Sequence, residues 1–193
     1  MVRKGDGKVS GSPVIQGAQL SAPASVEVDG APLEAGTLRP EQLAFRGNYT
    51  HAIDDKGRVS LPSGFRSVLA ESGESGVVLT NYISDGARCL EGFGISAWVK
   101  FENKLREKSR FDPKVQKLEN FYLSRASECS IDGAGRILVP SYLRTYAGVE
   151  KEVVFTSSIH GFRIWDRRVW EMIFQGAEQA LMSNPALFSD VDI

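Results

Sequence analysis

The feature that most constrains this chain of 193 residues is an internal repeat with an offset of 78 positions. Residues 53–66 read IDDKGRVSLPSGFR, and residues 131–144 read IDGAGRILVPSYLR. Seven of the 14 aligned positions are identical, whereas average composition predicts roughly one identity by chance. Weaker matches follow downstream, of 76–80 with 152–156 and of 92–95 with 161–164. One supersecondary unit is therefore used twice, and two copies favour a pseudo-symmetric pair over a solenoid.

Each copy predicts the same order of elements: a strand, a tight turn, a second strand, a short helix and a buried strand. The turns begin at Asp54 and Asp132, whose side chains can accept backbone N–H bonds. They end at Gly57 and Gly135, which can take a positive φ. The strands are expected at 48–53, 59–61 and 77–80 in the first copy and at 127–131, 137–139 and 153–156 in the second. The pattern predicts a β-rich α+β fold of two pseudo-symmetric units with flanking helices.

Helix signals lie after each repeated segment and between the copies. Prolines at 62 and 140 end the second strand of each copy and can open a short helix. Ser96 is the expected N-cap of a longer helix. Asp112 and Pro113 open a further helix, and the last helix is expected to start near Asp166.

The first 44 residues differ in character from the rest. They are rich in Gly, Ser, Ala and Pro and contain no aromatic residue. Such a segment buries too little apolar surface to offset the entropy lost on ordering. The predicted organisation is a flexible N-terminal extension at 1–44, a first unit at 45–110, a helical linker at 111–125, a second unit at 126–182 and a C-terminal tail at 183–193.

Composition excludes several classes of protein. No apolar run approaches the roughly 18 residues of a membrane-spanning helix, and no signal peptide is recognisable. Two cysteines and two histidines do not make a disulfide framework or a zinc site of usual spacing. The net charge of −1 does not favour nucleic-acid binding, and without residues 1–44 the chain has 19 basic and 19 acidic residues. DNA responds to local potential, however, and basic groups gathered on one face would suffice.

The repeated Asp-x-x-x-Arg motif is the candidate functional feature. It occurs as Asp54 with Arg58 and as Asp132 with Arg136, at matched positions of the two copies. A duplicated core explains repeated apolar residues, but an exposed arginine beside a turn adds little to packing. A two-stranded ribbon fits the major groove of DNA, where arginine can bind guanine O6 and N7 together. The aspartate could either fix the turn or pair with an arginine of the other unit.

Four other basic residues bear on this interpretation. Lys56 lies in the first turn and is suited to a phosphate contact, and the second turn has no lysine at that position. Arg46 lies at the entry to the first strand, where it could add basic surface near the DNA. Arg66 and Arg144 are repeated within the short helices, and either interface packing or DNA contact fits them.

Catalytic and cofactor-binding interpretations find little support. Residues 92–97 fit the glycine pattern of a dinucleotide loop, but the matched residues 161–166 break it. Asp54 and Asp55 with His51 could form an acid–base or metal site, but the second copy offers only Asp132 and no histidine. No nucleophile has a base at recognisable spacing. No catalysis, cofactor or small-molecule substrate is therefore expected.

The repeat resembles the MraZ family of bacterial regulators, which are similar to AbrB-type swapped-hairpin transcription factors and carry two such units in one chain. The resemblance covers about 45–181 and is carried by Phe45-Arg46-Gly47, 54–62, 126–140 and 148–153. It implies a double-split β-barrel of swapped hairpins and a ring-shaped homo-oligomer. It also implies binding of double-stranded DNA at promoter direct repeats of a division and cell-wall gene cluster, usually as a repressor. Family members usually begin just before Phe-Arg-Gly, so residues 1–44 are an addition to the pattern.

Two other functions are compatible with the same fold. The chain could be an antitoxin-like module that binds a partner protein, or a ring-forming scaffold without a DNA role. An antitoxin would usually carry one such unit and a disordered partner-binding tail, whereas this chain has two units and a short tail. The repeat and the family resemblance together favour a DNA-binding regulator in the cytoplasm, and the resemblance implies association with the nucleoid.

Overall fold

The computed structural model describes Met1, residues 44–184 and residues 186–187. The predicted extension at 1–44 and the predicted tail at 183–193 therefore lie largely outside the described residues. The strands are β1 (Asn48–Ala52), β2 (Arg58–Ser60), β3 (Gly76–Ser84), β4 (Ala87–Gly94), β5 (Ser127–Ser130), β6 (Arg136–Leu138), β7 (Glu152–Ser158) and β8 (Gly161–Asp166). The helices are α1 (Ser63–Glu71), α2 (Ile95–Arg106), α3 (Pro113–Phe121), α4 (Ser141–Ala147) and α5 (Arg167–Ser183), with a 3₁₀ turn at Leu123–Arg125.

These elements form an α+β protein, which confirms the predicted class. Six strands make one sheet in the order β1-β7-β8-β4-β3-β5, and β2 and β6 make a separate pair. Every pairing between named strands is antiparallel. The order of elements in the two copies is the one expected from the repeat.

The strands of the two copies pair with one another. β1 of the first copy pairs with β7 of the second, and β5 of the second pairs with β3 of the first. The short strands β2 and β6 also pair across the copies, with Val59 opposite Ile137. Within the first copy, an isolated antiparallel β-bridge between Ile53 and Val59 links the residues on either side of the turn. The two strands flanking each turn thus diverge, because each finds its partner strand in the other copy.

Both faces of the sheet are buried at β3, and successive side chains of this strand point to opposite faces. Val77 and Leu79 of β3 lie in the main core with Phe65 of α1 and Leu143 of α4. Val78, between them in sequence, packs on the other face among aromatic residues of α2 and the segment after α3. A third cluster forms where Trp165 of β8 packs against the start of α5. The continuous apolar sequence of β3 reflects this burial on both faces.

One predicted cap differs from the structure. Helix α2 begins at Ile95, and Ser96 does not cap it. The carboxylate of Glu74 instead accepts the backbone N–H groups of Ile95 and Ser96, at 3.1 and 2.9 Å. A side chain from a distant part of the sequence thus satisfies the helix terminus. The predicted starts of α3 and α5 are confirmed, since Asp112 and Asp166 are their N-caps.

Both cysteines are free and buried. Each thiol lies within an apolar cluster, Cys129 in the main core and Cys89 beside Trp165. Burial raises the pKa of the Cys89 thiol to about 12 and that of Cys129 to about 11. Both thiols are therefore protonated at neutral pH and act as small apolar side chains. In the part of the chain that the structure covers, no helix has both the length and the apolar character to cross a membrane.

Candidate nucleic-acid interface

The first turn is closed around Asp54. One carboxylate oxygen accepts the backbone N–H of Arg58 at 2.8 Å, and the other accepts its Nε at 2.7 Å. The backbone carbonyl of Asp54 accepts the N–H of Gly57 at 2.8 Å, and Gly57 has φ +87°. The carboxylate thus holds both the turn and the guanidinium of Arg58 in one arrangement.

The second turn repeats this geometry around Asp132. Its carboxylate accepts the backbone N–H and the Nε of Arg136, both at 2.9 Å. Gly135 donates its N–H to the carbonyl of Asp132 at 2.8 Å and has φ +74°. Each aspartate therefore fixes its own turn, the first of the two alternatives left open by the sequence, and the arginine that it holds belongs to the same turn and not to the other unit.

Both aspartates are ionised at neutral pH. The backbone N–H of Arg58, followed by its side chain, holds the pKa of Asp54 below its usual range. The side chain of Arg136, followed by its backbone N–H, does the same to the pKa of Asp132. The pKa of Arg136 is raised chiefly by Asp132 and to a lesser degree by Asp54 across the pair of strands. The ion pairs are complete above the ordinary aspartate pKa of 3.8 and are lost only as pH falls through the lowered values.

Strands β2 and β6 with their preceding turns, residues 54–60 and 132–138, are called here the arginine ribbon. Val59 and Ile137 face the core and are each 1% exposed. Side chains alternate along a strand, so the neighbouring positions point to the opposite, outer face. Arg58 lies opposite Leu138, and Arg136 lies opposite Ser60. The outer face therefore has two arginines in a diagonal arrangement, with Cα atoms roughly 8 Å apart.

The two turns are fixed by the opposite copy. Leu61 donates its backbone N–H to Gly135 at 3.0 Å, and Val139 donates to Gly57 at 2.8 Å. These two bonds extend the pairing of β2 with β6 on either side. The arginine ribbon is therefore a single structure to which both copies contribute equally.

The side chains of Arg66 and Arg144 pack against the glycines of the two turns. A Cβ atom added to Gly57 would lie 2.7 Å from Nε of Arg144, and one added to Gly135 would lie 2.6 Å from Cδ of Arg66. Arg66 also donates from Nη1 to the carbonyl of Leu61 at 3.0 Å. These contacts place both side chains at the interface between the copies, as one of the two sequence interpretations held. Their identity in the repeat was the signal for this shared position.

The other basic candidates lie in different places. Lys56 is exposed at the tip of the first turn, beside Arg58. Arg46 is also exposed, but it precedes β1, and its neighbours in a surface groove are His160 and Arg163. β1 separates Arg46 from the turn at Asp54, so the structure does not bring Arg46 to the arginine ribbon.

The fold and this site together define a class of protein. It is a duplicated α+β unit in which strands pair across the two copies and two half-exposed arginines share one ribbon face. The chain belongs to the MraZ family: the family model described as MraZ protein, antitoxin-like, matches residues 44–121 and again residues 122–187. The two matches correspond to the two copies of the internal repeat.

Curated relatives agree with the family assignment. The transcriptional regulator MraZ of Proteus mirabilis is 38% identical over 126 residues, covering 65% of this chain and 82% of that protein. The proteins of the same name from Syntrophobacter fumaroxidans and Caldanaerobacter subterraneus are 35% and 38% identical, and each is covered over 82% of its length. A solved structure from Pyrococcus horikoshii is similar only at 10% identity and a TM-score of 0.28, covering 62% of this chain and 91% of that one, which is too distant to bear on the fold.

Proposed function

We propose that this protein is a DNA-binding transcriptional regulator that inserts the arginine ribbon into the major groove. The observation that carries the proposal is the pair of half-exposed arginines, Arg58 and Arg136, each held by an aspartate on the same outer face. A side chain held in one geometry loses little conformational entropy on binding. The relatives named transcriptional regulator MraZ support the same function.

The dimensions of the arginine ribbon suit this role. A two-stranded β-ribbon fits the major groove, and a guanidinium can donate to O6 and N7 of guanine together. Asp54 engages Nε of Arg58, so the terminal amino groups are available for a base. With Cα atoms roughly 8 Å apart, Arg58 and Arg136 can reach bases two or three steps apart, at about 3.4 Å per step. Lys56 would contact a flanking phosphate, whereas the proposal does not need Arg46.

The finer features implied by the family are part of the same proposal. The pairing of β1 with β7, β5 with β3 and β2 with β6 supports an arrangement of two swapped hairpins. The regulator would assemble into a ring and repress a division and cell-wall gene cluster through direct repeats in its promoter, at the nucleoid. A ring would also explain how a chain with almost no net charge can bind DNA. Several weak contacts to one DNA molecule strengthen one another through effective concentration. No catalytic step is part of this role.

The first experiment measures binding of the full chain to a labelled fragment of its own promoter. A shuffled fragment of the same length and composition is the control. We expect the promoter fragment to bind more tightly, with a negative slope of log affinity against log salt concentration. Equal binding of both fragments, or none, by a folded protein would reject the regulator and favour the partner-binding or scaffold function.

Lys56 provides a second measurement in the same assay. A lysine that neutralises one phosphate contributes about 0.9 to the salt slope. Replacing Lys56 with alanine is therefore expected to make the slope shallower by about that amount for each subunit on the DNA, while preference for the promoter fragment persists. Lys108→Ala, on the exposed surface after α2, is the matched control and should leave the slope unchanged. An unchanged slope in the Lys56 variant would remove this residue from the interface.

Helix α5 is the element that we assign to contact between subunits. Its first turns pack on the sheet, with the rings of Trp170 and Trp165 at 5.7 Å. From Phe174 to Asn184 every side chain is exposed, although Phe174 and Leu181 continue the apolar stripe of Trp170 at helical spacing. A helix without tertiary packing is only marginally stable in water. A surface that covered the exposed half of α5 would therefore stabilise it.

A groove on the body of the protein has the matching properties. It is lined by apolar side chains that include Ile83, Phe101 and Phe121, with Lys100 and Lys104 at its edge. The seven-residue step along α2 from Ala97 to Lys104 and the step from Phe174 to Leu181 each span about 10 Å. The exposed half of α5 also carries the acidic Glu178 toward these lysines. A second copy of the chain that docks its α5 in this groove would bury the apolar residues of the helix and of the groove together.

Charged substitutions on α5 test this contact. The double variant Phe174→Glu, Leu181→Glu is expected to have a lower molar mass than the wild type by light scattering, because it adds two charges to the apolar stripe. Gln175→Glu with Gln179→Glu adds the same charges to the opposite face of the same helix and should assemble normally. The smaller species should bind promoter DNA more weakly but with its preference intact. Equal masses for both variants would exclude this interface.

A further inference from the structure

The outer face of the arginine ribbon carries one large apolar side chain. Leu138 lies directly opposite Arg58 in the pairing of β2 with β6 and is 54% exposed. Its neighbours Ile137 and Val139 are each 1% exposed and lie in the main core. The residues on either side of Leu138 are therefore buried in the core, whereas the side chain of Leu138 lies on the outer face that also carries the arginines.

The first copy indicates that the fold does not require a leucine here. The equivalent position, 78 residues earlier, is Ser60, which lies opposite Arg136 in the same pairing. The same strand, turn and ion pair form around a small polar side chain at that position. The difference between Leu138 and Ser60 thus changes the chemistry of the outer face without changing the backbone beneath it.

We propose that Leu138 contacts the 5-methyl group of a thymine in the major groove, next to the base contacted by Arg58. This inference rests on the proposed function. The thymine methyl is the apolar group that base pairs display in the major groove, and apolar side chains recognise it. Directly opposed residues have Cα atoms about 5 Å apart, and base pairs are about 3.4 Å apart. Arg58 and Leu138 can therefore reach the same or adjacent base pairs.

The contact makes the two ends of the arginine ribbon unequal. At the end with Arg58, the neighbouring outer side chain is apolar and selects a methyl group. At the end with Arg136, the neighbour is Ser60, whose hydroxyl can hydrogen bond to any base. A ribbon with unequal ends distinguishes the two directions along the duplex. Such a subunit favours sites repeated in one direction over palindromes.

The test compares promoter fragments made with thymine and with deoxyuridine, which lacks only the 5-methyl group. We expect the wild type to bind the deoxyuridine fragment about three- to tenfold more weakly, because burial of one methyl group accounts for about fourfold. Leu138→Ser, which places the residue of the first copy at this position, should bind the thymine fragment with the reduced affinity and show no difference between fragments. Its salt slope should equal that of the wild type, since no phosphate contact is removed.

A matched variant separates this contact from general effects of exposed apolar residues. Ile159 is 95% exposed in the turn between β7 and β8, and Ile159→Ser should keep the full preference for thymine. Equal wild-type affinity for both fragments, or a thymine preference that persists in the Leu138 variant, would overturn the inference while leaving the regulator in place. Loss of promoter preference by the wild type itself would instead reject the proposed function and this inference with it.

Discussion

Replacing Arg58 with alanine is expected to lower affinity for the promoter fragment by about 5- to 150-fold, with little change in affinity for shuffled DNA. The estimate follows from the roughly 1–3 kcal/mol that a bidentate contact between arginine and guanine contributes to discrimination. In the proposed ring, each subunit on the DNA would lose this contact, so the measured loss should lie toward the upper end. The measurement is a titration of both fragments at two salt concentrations.

Two further variants make this result specific to the arginine ribbon. Arg58→Lys keeps the charge but cannot bind guanine in the same planar manner, so it should retain most of the salt slope and lose the promoter preference. Arg106→Ala is the control, because Arg106 also pairs with an acidic residue four positions away, Glu102, on the exposed surface of α2. An equal loss of affinity in the Arg106 variant would mean that net charge, and not the ribbon, controls binding.

Gly57→Ala is expected to lower the free energy of unfolding by about 2–5 kcal/mol and to abolish promoter binding. Two costs combine at this position. A residue with a Cβ atom at φ +87° is strained by about 1–2 kcal/mol. The new Cβ would also lie 2.7 Å from Nε of Arg144 and 2.8 Å from the carbonyl oxygen of Val139. Overpacking of this kind typically costs about 1–3 kcal/mol.

A second glycine separates the two costs. Gly148 has φ +66°, but no heavy atom lies within 4 Å of an added Cβ. Gly148→Ala should therefore show only the backbone strain, about 1–2 kcal/mol, and keep its DNA binding. Denaturant unfolding at equal protein concentration measures both variants. Equal losses of stability at Gly57 and Gly148 would contradict the close packing of the two copies at the turn.

Much of the local structure was accessible from the residues themselves. The repeat predicted the turns, since an aspartate at the first position and a glycine at the fourth act within a few residues of each other. Asp112 and Asp166 predicted helix starts for the same reason, because an N-cap bonds backbone groups two or three residues ahead. The pairing of each arginine with the aspartate of its own turn was not predicted, although a spacing of four residues allows it once the turn has formed.

Other features depend on residues far apart in the sequence. Nothing near Ser96 indicates that Glu74 caps α2. Glu74 lies in the loop before β3, and the pairing of β3 with β4 brings it beside the start of α2. The sequence also does not state which strand β1 will pair with. Its partner is β7, about 100 residues later, and a period-two pattern specifies a buried face but not a neighbour.

The sequence by itself determined the repeated unit, its turns and the family to which the chain belongs, because each rests on residues a few positions apart or on a simple count of identities. Only the tertiary structure decided that β2 pairs with β6, so that Arg58 and Arg136 lie on one face with Leu138 directly opposite Arg58. The physical reason is that strand pairing across the copies is chosen by the burial of Val59 and Ile137 in a common core. That choice depends on the whole fold, and it sets what the exposed side chains can contact together.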